Sequence, residues 1–265
     1  MEAQSNLAEL LQWYADVGAD EAIGDSPIDR TLVKHIDVPE KATILPLITS
    51  PLATQTSAPA PVTGTIEALK EVQALVSAVK TIDELKAALE NFQGLSLKRT
   101  ATQMVFADGM PTAKVMIIGD APGAEEDRSG RPFAGANGQL LDKMLGAIGL
   151  SRETNVYITS IINWRTPGNR APTQAEIDLS LPFIQRHIEL VNPPVLVYIG
   201  GTAAKILQQT NEPISRLRGK WLEYKSIPAL AIFHPEYLIQ SPTQKKVAWE
   251  DLQMLQTKLK ELGII

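Results

Sequence analysis

Of the three histidines in this chain, His234 stands apart because Pro235 follows it at the end of an apolar run, Ala229 to Phe233. Such a ring has few rotamers and is presented at a strand end, where an imidazole can donate or accept a proton. His35 and His187 have no comparable company, and none of the three has a partner at metal-ligand spacing. Gly119-Asp-Ala-Pro-Gly123 sets a carboxylate, Asp120, in a rigid turn and reads equally as punctuation or as part of a site. Gly130-Arg-Pro-Phe-Ala-Gly135 places Phe133 between glycines, where an exposed ring is a stacking platform and a buried one only pins the loop. Arg216-Leu-Arg-Gly-Lys220 gathers Arg216, Arg218 and Lys220 around Gly219, a glycine that lets a phosphate approach the main chain. The same loop is also an ordinary solvated surface.

These residues are useful only if the fold brings them together. Four apolar runs, Val115 to Gly119, Val156 to Ile162, Val195 to Gly200 and Ala229 to Phe233, alternate with helical patterns. Two of those patterns open with capping-box signatures, Thr81 with Glu84 and Thr173 with Glu176. Continuous apolar strands separated by helices predict an α/β fold of three layers (α/β/α), with a central four-stranded, mainly parallel sheet. Ligands gather at the carboxyl ends of such strands. Just beyond the four runs stand Asp120 to Gly123, Asn163 to Arg170, Gly200 to Thr202, and His234 to Tyr237. One edge therefore collects the polar groups.

Three regions are expected: an acidic helical extension over residues 1–37, a linker over 38–80 rich in Pro, Thr and Ala, and the folded body over 81–265. Within the extension, Leu7, Leu10, Leu11, Tyr14 and Val17 recur at helical spacing. That stripe fits docking on the body, a protein partner, or simple tethering. Residues 1–80 hold 11 acids against 5 bases, whereas residues 81–265 hold 19 against 20, so the net charge of -5 lies in the extension. A near-neutral body with local basic clusters can still meet a polyanion on one face.

The 265 residues include no cysteine, which excludes disulfides, thiolate zinc sites, a cysteine nucleophile and a cysteine-held iron–sulfur cluster. No apolar run reaches the roughly 18–20 residues a membrane span needs, and the first residues lack a signal-peptide plan. A cytoplasmic monomer is expected.

Taken jointly, the motifs resemble the family 4 branch of the uracil-DNA glycosylase superfamily, from about Thr81 to Leu262. The carrying segments are Val115 to Gly123, Gly130 to Phe133 with Gly138-Gln-Leu-Leu-Asp142, Tyr157 to Thr159, Arg165 with Pro167 to Arg170, Arg216 to Gly219, and His234-Pro235. The resemblance implies an enzyme that extrudes deoxyuridine from DNA and hydrolyses its N-glycosidic bond, leaving an abasic site. It assigns catalytic roles to Asp120, His234 and Asn169, and base contacts to Gly119, Ala121, Phe133 and Ser160. DNA contacts fall to Arg170, Arg216, Arg218, Gly219 and Lys220, and the resemblance further implies association with the nucleoid and a repair or replication protein as the partner of the extension.

Several departures from the family pattern matter. The family commonly holds a 4Fe-4S cluster through four cysteines, and the corresponding places fall near Phe92, Leu95, Trp164 and Ser180. No cofactor is expected, and apolar packing is expected in its place. Asp120 stands where glutamate is usual, Ser160 where an asparagine reads the uracil edge, and Glu236 where a small residue follows His234-Pro235. Serine offers one hydroxyl where the amide offers a donor and an acceptor, which predicts weaker discrimination of uracil from cytosine. The competing expectation is a weakened member that binds damaged or abasic DNA without efficient turnover. A nucleotide-binding α/β enzyme is the third reading, and the first turn lacks the glycine spacing it requires.

Overall fold

The computed structural model describes residues 63–265, so the acidic extension and its expected helix lie outside the described residues. Alternation builds the centre of the molecule. In β2 (Val115–Gly119), β3 (Val156–Ser160) and β4 (Val195–Ile199) every residue is buried, because successive side chains enter opposite faces that are both covered. Met116, Ile118, Tyr157, Leu196 and Tyr198 join one core, while Val115, Ile117, Val156, Ile158, Val195 and Val197 join the other. The first is closed by α1 (Thr63–Ala78), α2 (Ile82–Asn91) and α5 (Gln174–Val191). The second is closed by α4 (Gly135–Gly146) and α9 (Lys245–Glu261), through Leu141, Leu145, Leu252, Leu255 and Leu259. The three-layer α/β/α expectation holds.

The sheet has six strands, not four, in the order β1-β3-β2-β4-β6-β5. Its inner four, with β6 (Ile227–Ile232), are parallel. Two antiparallel edges were not foreseen: β1 (Ala107–Gly109) on β3, and β5 (Trp221–Tyr224) on β6. Both are short and half-covered, so neither carries a continuous apolar run. The β5–β6 hairpin turns through Lys225 and Ser226, both at positive φ without the usual Asn-Gly signature. The stretch read as linker also ends in a helix, α1, whose Val72 is wholly buried.

Both capping threonines act as expected. Thr81 Oγ1 accepts the Glu84 N–H, and Thr173 and Glu176 form a complete capping box. The remaining helices, α3 (Ala124–Ser129), α6 (Gly201–Leu207), α7 (Ile214–Leu217) and α8 (Pro235–Gln240), are short and succeed strand ends or loops at the same edge.

Candidate active site

At that edge the strand ends line a crevice of about 500 Å³, a size suited to a small ligand or an extruded nucleoside. Asp120, Ala121, Phe133, Ser160, Asn169, Arg170 and His234 all line it. Gly119 sits just behind, paired in register with Ser160. A side chain at Gly119 would meet the Phe133 ring at 2.6 Å, so glycine is what lets the ring lie against the strand end.

Asp120 follows β2 and is held by the start of α6, where its Oδ1 accepts the Ala203 N–H at 2.6 Å. Burial pushes its carboxyl up to about 6, against the hydrogen bonds from Ala203 and Thr202 and the charge of Lys205. Gly200, at φ +103, is required here because a Cβ would strike the carboxylate at 2.4 Å. At neutral pH the group is a half-buried anion beside the crevice, suited to facing a developing cation or to orienting water.

His234 caps α8: its Nδ1 accepts the Glu236 N–H at 3.3 Å, which leaves the ring proton on Nε2. Burial holds its pKa below the ordinary value, with the Glu236 carboxylate opposing. The site therefore contains a neutral N–H donor at neutral pH. The Phe133 ring lies 5.5 Å from the imidazole, tilted by 33°. Phe133 is only 7% exposed, so of the two readings left open the ring that pins its loop to the body holds, and its remaining face is a wall of the crevice.

After β3, Thr166 Oγ1 donates to the Arg170 carbonyl and closes a tight loop in which Gly168 and Asn169 take positive φ. Asn169 Oδ1 accepts from Arg165 Nε at 2.8 Å, and its amide nitrogen has no hydrogen bond among the described residues. The Ser160 hydroxyl likewise lines the crevice without a partner among the described residues.

The basic residues divide. Arg170 is bound through both terminal nitrogens to Glu176, although its side chain stays 42% exposed at the crevice. Arg218 grips the buried Asp251 through two nitrogens, donates to the Val247 carbonyl and lies over Phe233, so it fastens its loop to α9. Arg216, Gly219 and Lys220 are exposed and lie outside the crevice lining. Thr202 and Tyr237, placed at the strand ends by the sequence, line it as well, whereas sequence reasoning missed Asn137 and Gln240. The helical pattern around Asn137 gave no signal.

The residues present do not fit an iron–sulfur cluster. Phe92, Leu95 and Trp164 share one apolar core with Leu97, Leu179 and Phe183, and the sequence has no thiolate to offer. The Phe92 ring lies 5.7 Å from that of Phe183, and Lys98 lies over Trp164. Ser180 is buried beside them with an unpartnered hydroxyl. Among the described residues no group of three or more His, Asp or Glu could hold a metal ion, and no helix is long and apolar enough to cross a membrane.

A family model described as the uracil DNA glycosylase superfamily matches residues 106–253. The type-4 uracil-DNA glycosylase of Sulfurisphaera tokodaii is 33% identical over 193 residues, covering 69% of this chain and 86% of that protein. That of Archaeoglobus fulgidus is 32% identical over 185 residues, 67% and 92% of the two chains. The Thermotoga maritima protein of the same name is 33% identical over 168 residues, 61% and 86%.

Proposed function

The chain belongs to the uracil DNA glycosylase superfamily, and from that membership we propose that it is a monofunctional DNA N-glycosylase acting on deoxyuridine extruded from DNA. The observation that carries this reading is the pairing, across one crevice, of a half-buried carboxylate, Asp120, with a neutral imidazole donor, His234. In N-glycoside hydrolysis the N1–C1′ bond breaks with its electron pair passing to the base. The departing uracil becomes anionic at its oxygens while the sugar becomes cationic. His234 Nε2–H is the donor for the base oxygen, and Asp120 faces the sugar cation and the attacking water. The water oxygen bonds to C1′, loses a proton to solvent through Asp120, and leaves a hydroxyl on the abasic sugar.

Base extrusion costs a few kcal/mol of lost stacking. The Phe133 wall supports the recovery of that energy, Asn169 is an amide donor for the base or sugar, and the Ser160 hydroxyl is the group nearest to reading the base edge. Gly119 and Ala121 supply backbone contacts. Among the cations, Arg216 and Lys220 with Gly219 are the phosphate contacts, Arg170 is a secondary one, and Arg218 acts by holding their loop. The competing reading, binding with little turnover, draws support from Ser160 and from the exposed Glu236 carboxylate at the crevice mouth. A single-turnover assay on oligonucleotides with one uracil, single-stranded and opposite guanine, decides between them after alkaline cleavage. Scission lost in His234→Ala supports the enzyme; binding without scission at enzyme excess supports the alternative.

A further inference from the structure

We propose that Arg152, buried behind the crevice and absent from its lining, is the positioning residue for the Phe133 ring; this rests on the reading of that ring as the wall against which the base stacks. Phe133 has φ +50, a left-handed backbone conformation that a bulky residue adopts only when held there. Arg152 supplies the hold. Its Nη1 donates to the Pro132 carbonyl at 2.7 Å and its Nη2 to the Phe133 carbonyl at 2.9 Å, so one guanidinium grips two successive carbonyls of the loop.

Two carboxylates aim the guanidinium in turn. Asp142 on α4 accepts from Nε at 2.6 Å, and Asp108 on β1 accepts from Nη1 at 3.0 Å while also binding Arg131. Helix, sheet edge and loop meet at this one side chain, which is 6% exposed. Helix α4 is equally close: a Cβ at Gly138 would lie 1.7 Å from the Phe133 carbonyl oxygen and 3.3 Å from Arg152 Nη2. The carbonyl is therefore held by Arg152 and packed against α4 at once, and the ring lies against Gly119. Any rotation of the peptide swings the ring across the crevice. Gly138 and Asp142, motif residues without a role at the base itself, acquire one here. Lysine keeps the charge but has no planar fork to span two carbonyls and a carboxylate.

The test is a double-mutant cycle with Phe133→Ala and Arg152→Lys, read by single-turnover cleavage of a uracil-containing oligonucleotide and, in parallel, by thermal melting. Each single variant is expected to slow cleavage by about tenfold, and the double variant to be no slower than Phe133→Ala within about twofold. Melting temperatures are expected to fall in both backgrounds, because the fork's bonds to the loop are lost either way. A merely structural role would carry the loss of rate into the Phe133→Ala background too. Should Arg152→Lys fail to fold, Asp142→Asn replaces it: that side chain is half exposed, and its loss is expected to slow cleavage about threefold only when Phe133 is present. Losses that multiply in the double variant, or a folded Arg152→Lys with the parent rate, overturn the proposal and leave the stacking reading intact. Parent activity in Phe133→Ala overturns the stacking reading itself, and this proposal with it.

Discussion

Replacing Asp120 by asparagine is expected to make the protein slower and more stable at once. The carboxyl rises from 3.8 to about 6 because burial disfavours its charge, and the bonds from Ala203 and Thr202 recover only part of that. A folded-state pKa above the unfolded value means that the native protein binds this proton more tightly. The associated stability is fully present below pH 3.8 and is lost as pH rises through about 6. Two units make that loss about 3 kcal/mol at pH 8 and about half as much at pH 5. Asparagine removes the charge and keeps an acceptor for the Ala203 N–H, but sets an amide where a second acceptor stood. The net gain at pH 8 is then about 2 kcal/mol, or roughly 4–8 °C of Tm for a body of this size. Melting curves of parent and variant at pH 8, 6.5 and 5 cancel the other carboxylates, and the gap should narrow steadily toward acid. Single-turnover cleavage should fall by about 10²-fold in the variant, and the parent's rate should decline below about pH 6. A gap in Tm that is independent of pH, or a variant that melts lower at pH 8, would refute the reasoning.

Four further outcomes are expected. Ser160→Asn restores a donor and acceptor at the base edge and should raise the preference for uracil over cytosine by about tenfold or more, read as the ratio of single-turnover rates; an unchanged ratio counts against Ser160 as the reading group. Glu236→Gln removes an exposed negative charge at the crevice mouth and should tighten DNA binding about two- to fivefold at low salt, with the gain shrinking at high salt. Equal affinities across a salt series would place Glu236 away from the DNA path. Phe92→Ala opens a cavity among Leu95, Trp164 and Phe183 and should cost about 3–5 kcal/mol in urea unfolding, whereas Ser180→Ala removes an unpartnered hydroxyl and should be neutral or stabilising; a cost under about 1 kcal/mol for Phe92→Ala would remove it from the brace.

What could be read from the sequence depended on how far apart the cooperating residues lie. The four inner strands are local apolar runs, and the strand-end rule then joined Asp120, Asn169 and His234 without any knowledge of contacts, whereas Ser160, inside the second run, was singled out only by the resemblance. The edges escaped because Ala107-Asp-Gly109 is too short for a period and Trp221 to Tyr224 is only partly covered. Helix α1 escaped because its surroundings, rich in proline and threonine, outweighed the helical spacing of Leu69, Val72 and Val76. Arg218 looked like a free cation in a basic loop, since its carboxylate, Asp251, comes 33 residues later on another helix. Arg152 gave no sign, because the carbonyls it holds belong to residues 132 and 133 and carry no sequence signature of their own. Local chemistry is legible from local spacing; side chains that act at a distance need the fold.

The ring-lined brace at Phe92, Leu95 and Trp164 has no oxidation state. A cluster of iron and sulfide is assembled by other proteins, stripped by chelators and dismantled by oxygen, whereas these side chains arrive with the polypeptide. Because the sequence offers no thiolate to iron, the packing of these three residues forms with the fold itself and does not wait on iron supply.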